Sequence, residues 1–218
     1  MPSQMKENYL KAMYSLADEE NKVWLSDLSR KMGVSNPTAN NMVKKLQEEE
    51  WVIYKKYKPL QLTEQGKKLA VFVIRKHRIT EMFLMEKMGF GWEEVHEIAE
   101  EIEHIDSDLL FERMDEMLGY PSIDPHGEPI PDKFGKVVYP KYHKLSEVKR
   151  GKKVRLCALT HTSKDFLLFL NKKQISIGTE FEILEIEPFD KSVTVAYKNF
   201  SSIMLSNEVC KRLLVKLV

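Results

Sequence analysis

Hydrophobic side chains in the first 62 residues recur with helical spacing and then with strand spacing. This pattern predicts three helices and a hairpin: helices over 6–17, 26–32 and from 36 onwards, and strands at 51–54 and 60–62. Ser26 is a candidate N-cap of the second helix, and Gly33 interrupts the chain before the third. Pro37 falls in the first turn of the third helix, where proline is favoured. The order predicts a winged helix-turn-helix.

The remaining pattern changes from long helices to short strands. Helices are predicted over 64–88, 92–105 and 108–118, with Thr63 and Ser107 as caps. Residues 121–145 are rich in Pro, Gly, Tyr and Lys and are interpreted as a linker. Alternating apolar positions then predict strands near 154–158, 193–197 and 213–217, with one helix at 164–171.

These elements predict a mainly α protein with a small β domain. The expected division is a winged helix-turn-helix domain over 1–74, a helical domain over 75–140 and an SH3-like β-barrel over 146–218.

Composition narrows the class of protein. The chain is 43% hydrophobic and 31% charged, which is typical of a soluble globular protein. It has only two cysteines, Cys157 and Cys210, which are too few for a disulfide scaffold. Both are interpreted as buried strand residues. No apolar run approaches the roughly 18 residues of a membrane span. We therefore expect a cytoplasmic protein without a membrane partner.

The net charge of +1 conceals a strong asymmetry along the chain. Residues 1–76 carry a net charge of +5, residues 77–135 carry −12, and residues 136–218 carry +8. The basic N-terminal segment favours binding to a polyanion, and the acidic middle segment favours binding to cations.

The third helix and the hairpin carry the candidate DNA contacts. In a helix-turn-helix, the start of the second helix of the motif reaches base edges while basic residues bind phosphates. Small polar side chains for base contacts and lysines for phosphate contacts both occur here: Ser35, Asn36, Pro37, Thr38, Asn40, Asn41, Lys44, Lys45, Lys55 and Lys56. They predict binding to double-stranded DNA.

The acidic middle contains histidines and carboxylates at helical spacing. His77 and Glu81 are four residues apart on one predicted helix, and a second stripe follows on the next: His96, Glu100, Glu103 and His104. Imidazole with carboxylate is ligand chemistry for Mn²⁺, Fe²⁺, Ni²⁺ or Zn²⁺. The stripes predict a metal site.

Four sequence motifs carry a resemblance to a known family. They are Lys6-Glu7-Asn8-Tyr9-Leu10, Arg75-Lys76-His77-Arg78, Glu100-Glu101-Ile102-Glu103-His104 and Asp124-Pro125-His126-Gly127-Glu128-Pro129-Ile130-Pro131. With the order of elements, the chain resembles the diphtheria-toxin-repressor family of metal-dependent transcriptional regulators, the manganese-responsive branch most closely. The resemblance implies a homodimer that binds palindromic operator DNA when metal is bound.

The resemblance also implies two metal sites per subunit. A primary site would use Asn8, Glu100, Glu103 and His104, and an ancillary site would use His77, Glu81 and His96, completed by His161, Thr162 or Asp165. Position 8 is Met in the iron branch and usually Asp in the manganese branch, whereas this chain has Asn. Glu100 stands where the iron branch has Cys, which favours Mn²⁺, with Fe²⁺ as the second candidate.

The expected function is metal-gated repression that controls metal-ion homeostasis. The alternative is a metal-independent winged-helix regulator that senses a small molecule through its C-terminal domain. An enzyme is not expected. The two Glu-x-x-His runs ending at His96 and His104 fall on one predicted helix rather than two, which is wrong for a di-metal oxidase. The sequence also lacks H-E-x-x-H, a Gly-rich phosphate loop and G-x-S-x-G.

Overall fold

The computed structural model describes residues 2–218, which divide into two compact units. The first unit comprises residues 2–77, 100–112 and 131–137, and the second comprises 78–99, 113–130 and 138–218. The chain up to residue 118 forms α1 (Gln4–Leu16), α2 (Leu25–Lys31), α3 (Asn36–Glu48), β1 (Val52–Ile53), β2 (Gln61–Leu62), α4 (Glu64–Met88), α5 (Val95–Ile102) and α6 (Asp108–Leu118).

The remainder of the chain is mostly β-structure. It forms β3 (His143–Lys144), a 3-10 turn (Leu145–Glu147), β4 (Lys153–Leu159), α7 (Lys164–Lys172), β5 (Glu180–Ile186), β6 (Val193–Tyr197), β7 (Phe200–Leu205), α8 (Asn207–Arg212) and β8 (Leu213–Leu217). No helix within residues 2–218 combines the length and hydrophobicity that crossing a bilayer requires.

The winged helix-turn-helix is built around one apolar core in the first unit. The apolar stripes of α1 and α3 are buried together with Leu28 of α2 and Trp51. β1 and β2 pair antiparallel as the hairpin. Gly33 has φ of +64°, a left-handed conformation in which glycine carries no Cβ penalty, and it turns the chain between α2 and α3. The predicted helix-turn-helix and wing are confirmed.

Helix boundaries differ from prediction by one or two residues at α1 and α2, and by more at α5. Ser26 was the expected cap of α2, but the helix begins at Leu25 and Trp24 occupies the cap position. α5 is shorter than the predicted 92–105. Residues 92–94 form a turn, Gly91 N–H donates to the Glu94 carboxylate (2.8 Å), and Trp92 is buried in the core of the second unit. The predicted caps Thr63 and Ser107 do accept backbone N–H groups.

The β-strands of the second unit form one six-stranded antiparallel sheet in the order β3-β8-β4-β5-β6-β7. Inward-facing residues of β4, β6 and β8 pack against the apolar face of α7. Sequence patterning missed β3, β5, β7 and α8, and β3 falls in the range that was interpreted as a linker. The expectation that both cysteines are buried in strands was wrong: Cys157 is in β4 but only half-buried, and Cys210 is buried in α8.

Candidate metal centres and nucleic-acid interface

The first group of candidate ligands lies entirely within the first unit. α1 supplies Asn8 and α4 supplies His77, while Glu100 comes from the last turn of α5. Glu103 and His104 follow in the turn just after α5, so they are not on the helical face that their spacing predicts. Glu103 is fully buried, and its Oε2 lies 2.6 Å from His77 Nδ1. Side-chain ligand atoms of His77, Glu100 and Glu103 all lie within 4.8 Å of one another.

Two buried atoms of this group have no hydrogen-bond partner among residues 2–218. They are Asn8 Oδ1 and His104 Nε2. His104 Nδ1 lies 2.5 Å from Glu7 Oε2, and in the neutral tautomer that donates to this carboxylate, Nε2 is the acceptor. His104 Nε2 is also 3.4 Å from Glu103 Oε1. Because buried acceptors without partners are rare, a lone pair, an amide oxygen and a carboxylate together fit a cation.

Lys11 belongs to the same group, although no metal-related pattern in the sequence selects it. Its Nζ lies 2.7 Å from Glu100 Oε1 and 2.7 Å from Glu103 Oε1. Glu7 was also missed as a partner of His104. Glu7 and Lys11 are four residues apart on α1, so they share a helix face, and that spacing was the available signal.

The second group lies entirely within the second unit and comprises Glu81, Asp124 and His126, all buried. His126 Nε2 donates to the Trp92 carbonyl (2.8 Å), which leaves Nδ1 facing Glu81 Oε2 at 3.7 Å. His96 is half-exposed, and its Nδ1 lies 3.2 Å from Glu81 Oε1. The three buried side chains supply imidazole and carboxylate ligands for a divalent metal.

Burial and like charges favour protons on the second group. Desolvation, followed by the negative charges of Glu81 and Glu128, raises the pKa of Asp124 to about 7. Burial alone would lower the pKa of His126, but the hydrogen bond and charge of Glu81 together with Asp124 raise it. A divalent cation would supply the positive charge that these protons supply otherwise.

A tight turn holds Asp124 and His126 in place. Asp124 Oδ1 accepts the backbone N–H groups of His126 and Glu128, each at 2.9 Å. Leu159 N–H donates to the His126 carbonyl (3.0 Å), which ties the turn to β4. This motif was quoted for its resemblance, but neither side chain was predicted as a ligand. The signal was an acidic residue and a histidine in an otherwise Pro- and Gly-rich segment.

The predicted ancillary set is distributed between the two units. His77 pairs with Glu103 in the first unit, whereas Glu81 and His96 contact each other in the second. His161 and Asp165 are exposed and Thr162 is half-exposed. Within residues 2–218, none of the clusters of metal-ligating side chains includes His161 or Asp165.

The candidate DNA-contacting residues are mostly exposed on α3 and the wing. Pro37, Thr38 and Asn41 and the four lysines Lys44, Lys45, Lys55 and Lys56 are exposed. Ser35 is the N-cap of α3 and accepts from Thr38 N–H at 3.3 Å.

The three candidate asparagines of α3 differ in their surroundings. Asn36 Oδ1 accepts from the Ser29 hydroxyl (2.5 Å), and Asn40 Oδ1 accepts from the Tyr54 hydroxyl (2.7 Å). Reading adenine uses both the oxygen and the nitrogen of the amide. Asn41 is therefore the best placed of the three for a bidentate base contact.

Three family models match successive parts of the chain. They are described as "Iron dependent repressor, N-terminal DNA binding domain" (residues 1–60), "Iron dependent repressor, metal binding and dimerisation domain" (63–132) and "FeoA domain" (143–217). The iron-dependent repressor IdeR of Mycobacterium tuberculosis H37Rv is 34% identical over 125 residues, 57% of this chain. The match spans about half (54%) of that relative's length.

Solved structures match over nearly the whole chain. A manganese-dependent transcriptional repressor in complex with manganese has a TM-score of 0.86 at 29% identity, covering 98% of this chain and 100% of that one. ScaR with bound Zn²⁺ has a TM-score of 0.77 at 33% identity, with both chains fully covered. The manganese regulator SloR has a TM-score of 0.75 at 32% identity, with 98% of each chain covered.

Proposed function

The chain belongs to the diphtheria-toxin-repressor family, and on this premise we propose that it is a metal-dependent transcriptional repressor. It binds double-stranded operator DNA as a homodimer, and Mn²⁺ or Fe²⁺ is its activating metal. Its role is regulatory, in metal-ion homeostasis, and not catalytic. The ranges of the matching family models support a division into DNA-binding (1–74), dimerisation and metal-binding (75–140) and SH3-like (146–218) domains.

One observation carries the metal dependence. In the part of the chain that the structure describes, Asn8 Oδ1 and His104 Nε2 are buried without hydrogen-bond partners, beside the buried carboxylate of Glu103. The ion would be held by Asn8, Glu100, Glu103 and His104. Its positive charge would pair with the carboxylates and with the two acceptor atoms. A set of oxygen ligands and one imidazole, with no thiolate, favours Mn²⁺ over softer metals.

The link to DNA binding runs through α1. This helix packs in the core of the winged helix-turn-helix, and it also carries Asn8. Ligands on α1 and after α5 therefore couple the position of α1 to the filling of the site. Metal favours the DNA-binding arrangement only to the extent that it binds this arrangement more tightly than others.

Glu81, Asp124 and His126 are the second proposed metal-binding group. Their burial and donor types support a divalent cation, and His96 is near enough to Glu81 to take part. The ancillary set expected from the resemblance, His77, Glu81 and His96, stays a prediction.

The direct test is DNA affinity as a function of metal. Duplex DNA selected from a random library with Mn²⁺-loaded protein is labelled, and anisotropy is measured at fixed salt in chelator, Mn²⁺, Fe²⁺ or Zn²⁺. Fixed salt is essential because phosphate contacts dominate affinity. We expect Mn²⁺ to raise affinity at least tenfold, about 1.4 kcal/mol of coupling.

Variants separate the metal from the fold. His104→Ala should abolish the Mn²⁺ effect, whereas His143→Ala, an exposed histidine in β3, should retain it. Equal DNA affinity in chelator and in Mn²⁺ would contradict the proposal and favour the alternative, in which a small molecule acts through the C-terminal domain.

A further inference from the structure

We propose that Lys11 sets the metal affinity of the first group, because its ammonium competes with the divalent cation for Glu100 and Glu103. This inference rests on the proposed metal-binding function of that group. Lys11 Nζ lies 2.7 Å from Glu100 Oε1, 2.7 Å from Glu103 Oε1 and 2.9 Å from Glu103 Oε2. It thus contacts the two carboxylates that the metal needs.

The burial of Glu103 explains why a cation is held there. The Glu103 side chain is 0% exposed, and a buried carboxylate is strongly disfavoured unless it is paired. Lys11 reaches both of its oxygens, and its own side chain is only 18% exposed. The ammonium is therefore part of what makes this carboxylate tolerable inside the protein.

The same position cannot serve two cations. A metal ion held by Glu100 and Glu103 would need carboxylate oxygens that Lys11 Nζ now contacts. Two positive charges sharing those oxygens would repel strongly in a low-dielectric site. Binding of metal to both carboxylates therefore requires Lys11 to withdraw, which its flexible four-carbon stem permits.

The group is consequently divided into two parts. Asn8 Oδ1 and His104 Nε2 have no hydrogen-bond partner among the described residues, whereas Glu100 and Glu103 are bridged by Lys11. Metal gains new contacts on the first part and must displace an ion pair on the second. Lys11 therefore raises the metal concentration at which the group fills, by a similar factor for each divalent metal, since the displaced ion pair is the same.

The test compares variants of Lys11 in a Glu81→Ala background, which removes a ligand from both the second group and the predicted ancillary set. Mn²⁺ affinity is measured by competition with a fluorescent metal indicator, and thermal unfolding is measured in chelator. Lys11→Met keeps most of the apolar stem without the charge. We expect it to bind Mn²⁺ at least tenfold more tightly and to unfold at a lower temperature in chelator. Zn²⁺ affinity should rise by a similar factor.

Control variants separate charge from packing. Lys11→Arg keeps the charge and should remain near the parent affinity. Lys6→Met removes another lysine of α1, one that pairs with Glu49 away from the group, and should leave Mn²⁺ affinity unchanged. If Lys11→Met does not fold in chelator, Lys11→Gln, which retains one donor, gives the measurement and should show a smaller gain. Unchanged or weaker Mn²⁺ binding in the folded charge-removing variants overturns the inference.

The design distinguishes this inference from the function on which it rests. His104→Ala in the same background should lose Mn²⁺ binding. If it binds like the parent, the first group is not a metal site and the proposed function fails. If it loses binding while Lys11→Met gains none, the site stands and only the role of Lys11 is refuted.

Discussion

Replacing Gly127 by alanine should detach the turn that holds Asp124 and His126. Gly127 has φ of +87°, and a Cβ at this position would lie 2.0 Å from the Cys157 carbonyl oxygen and 2.5 Å from Ala158 Cα. Both are backbone atoms of β4, so rotation of a side chain cannot relieve the overlap. The turn and the strand must move apart.

The expected loss of stability follows from two contributions. Alanine in the left-handed region costs roughly 1 kcal/mol. Separation of the turn from β4 by more than about 1 Å also breaks the hydrogen bond from Leu159 N–H to the His126 carbonyl, and a buried polar group left unpaired costs about 1–3 kcal/mol. Together they predict a loss of about 2–4 kcal/mol, which lowers the Tm by roughly 4–16 °C in a chain of this size.

Gly119→Ala is the matched control. Gly119 follows α6 with φ of +74°, and a Cβ there would meet nothing within 4 Å, so only the conformational cost applies. Urea unfolding in chelator should show Gly127→Ala to be less stable than Gly119→Ala by at least about 1 kcal/mol. Mn²⁺ titration should show that only Gly127→Ala weakens the second group. Equal losses for the two variants would refute the close-approach argument.

Three further predictions concern DNA binding, the N-cap of α3 and the pH dependence of stability. The double variant Lys55→Ala/Lys56→Ala should weaken binding to all DNA sequences alike and reduce the slope of log K against log salt by about two. The control Lys87→Ala, at the end of α4, should have neither effect. A loss of affinity confined to the selected sequence would argue against phosphate contacts. Ser35→Ala removes the N-cap of α3 and should lower the free energy of unfolding by about 1 kcal/mol. Ser35→Thr is the control, because it keeps a capping oxygen. An unchanged urea midpoint for Ser35→Ala would contradict this prediction. The folded pKa of Asp124, about 7, exceeds its ordinary value of 3.8, so the folded state binds the extra proton. In chelator, the stability that protonated Asp124 contributes should therefore be lost as pH rises from about 4 through 7. Asp124→Asn should flatten this decline when the free energy of unfolding is measured in urea. Parallel pH profiles for the parent and the variant would contradict this prediction.

Local rules were sufficient for much of the fold. The apolar stripes of α1 and α3, Gly33 in the turn and the wing lysines are short-range features, and helix and hairpin formation depends on such spacing. β6 and β8 alternate buried and more exposed positions, and their bounds match the predicted ranges. β5 also alternates exposed and buried positions over its first four residues, so its pattern was available although it was missed. β7 has a mixed pattern with more exposed positions, because strand pairing rather than alternation determines it.

The metal-ligand set shows the limit of local reasoning. Helical spacing selected His96 and Glu81, but it also placed Glu103 and His104 on a helix that ends at Ile102. It could not select Asp124 or His126, since a turn has no periodicity from which to infer which side chains face inward. Nor could it indicate that Lys11 would reach carboxylates about 90 residues away.

The sequence by itself determined the elements, the charge of each segment and the chemistry available, because these depend on neighbouring residues and composition. Only the tertiary structure decided which ligands meet. Glu103 is tolerated in the interior because His77 and Lys11 converge on it, and Glu81 faces His126 because a turn is fastened to β4. Burial, and the demand that each buried charge find a partner, arises only when distant segments pack together.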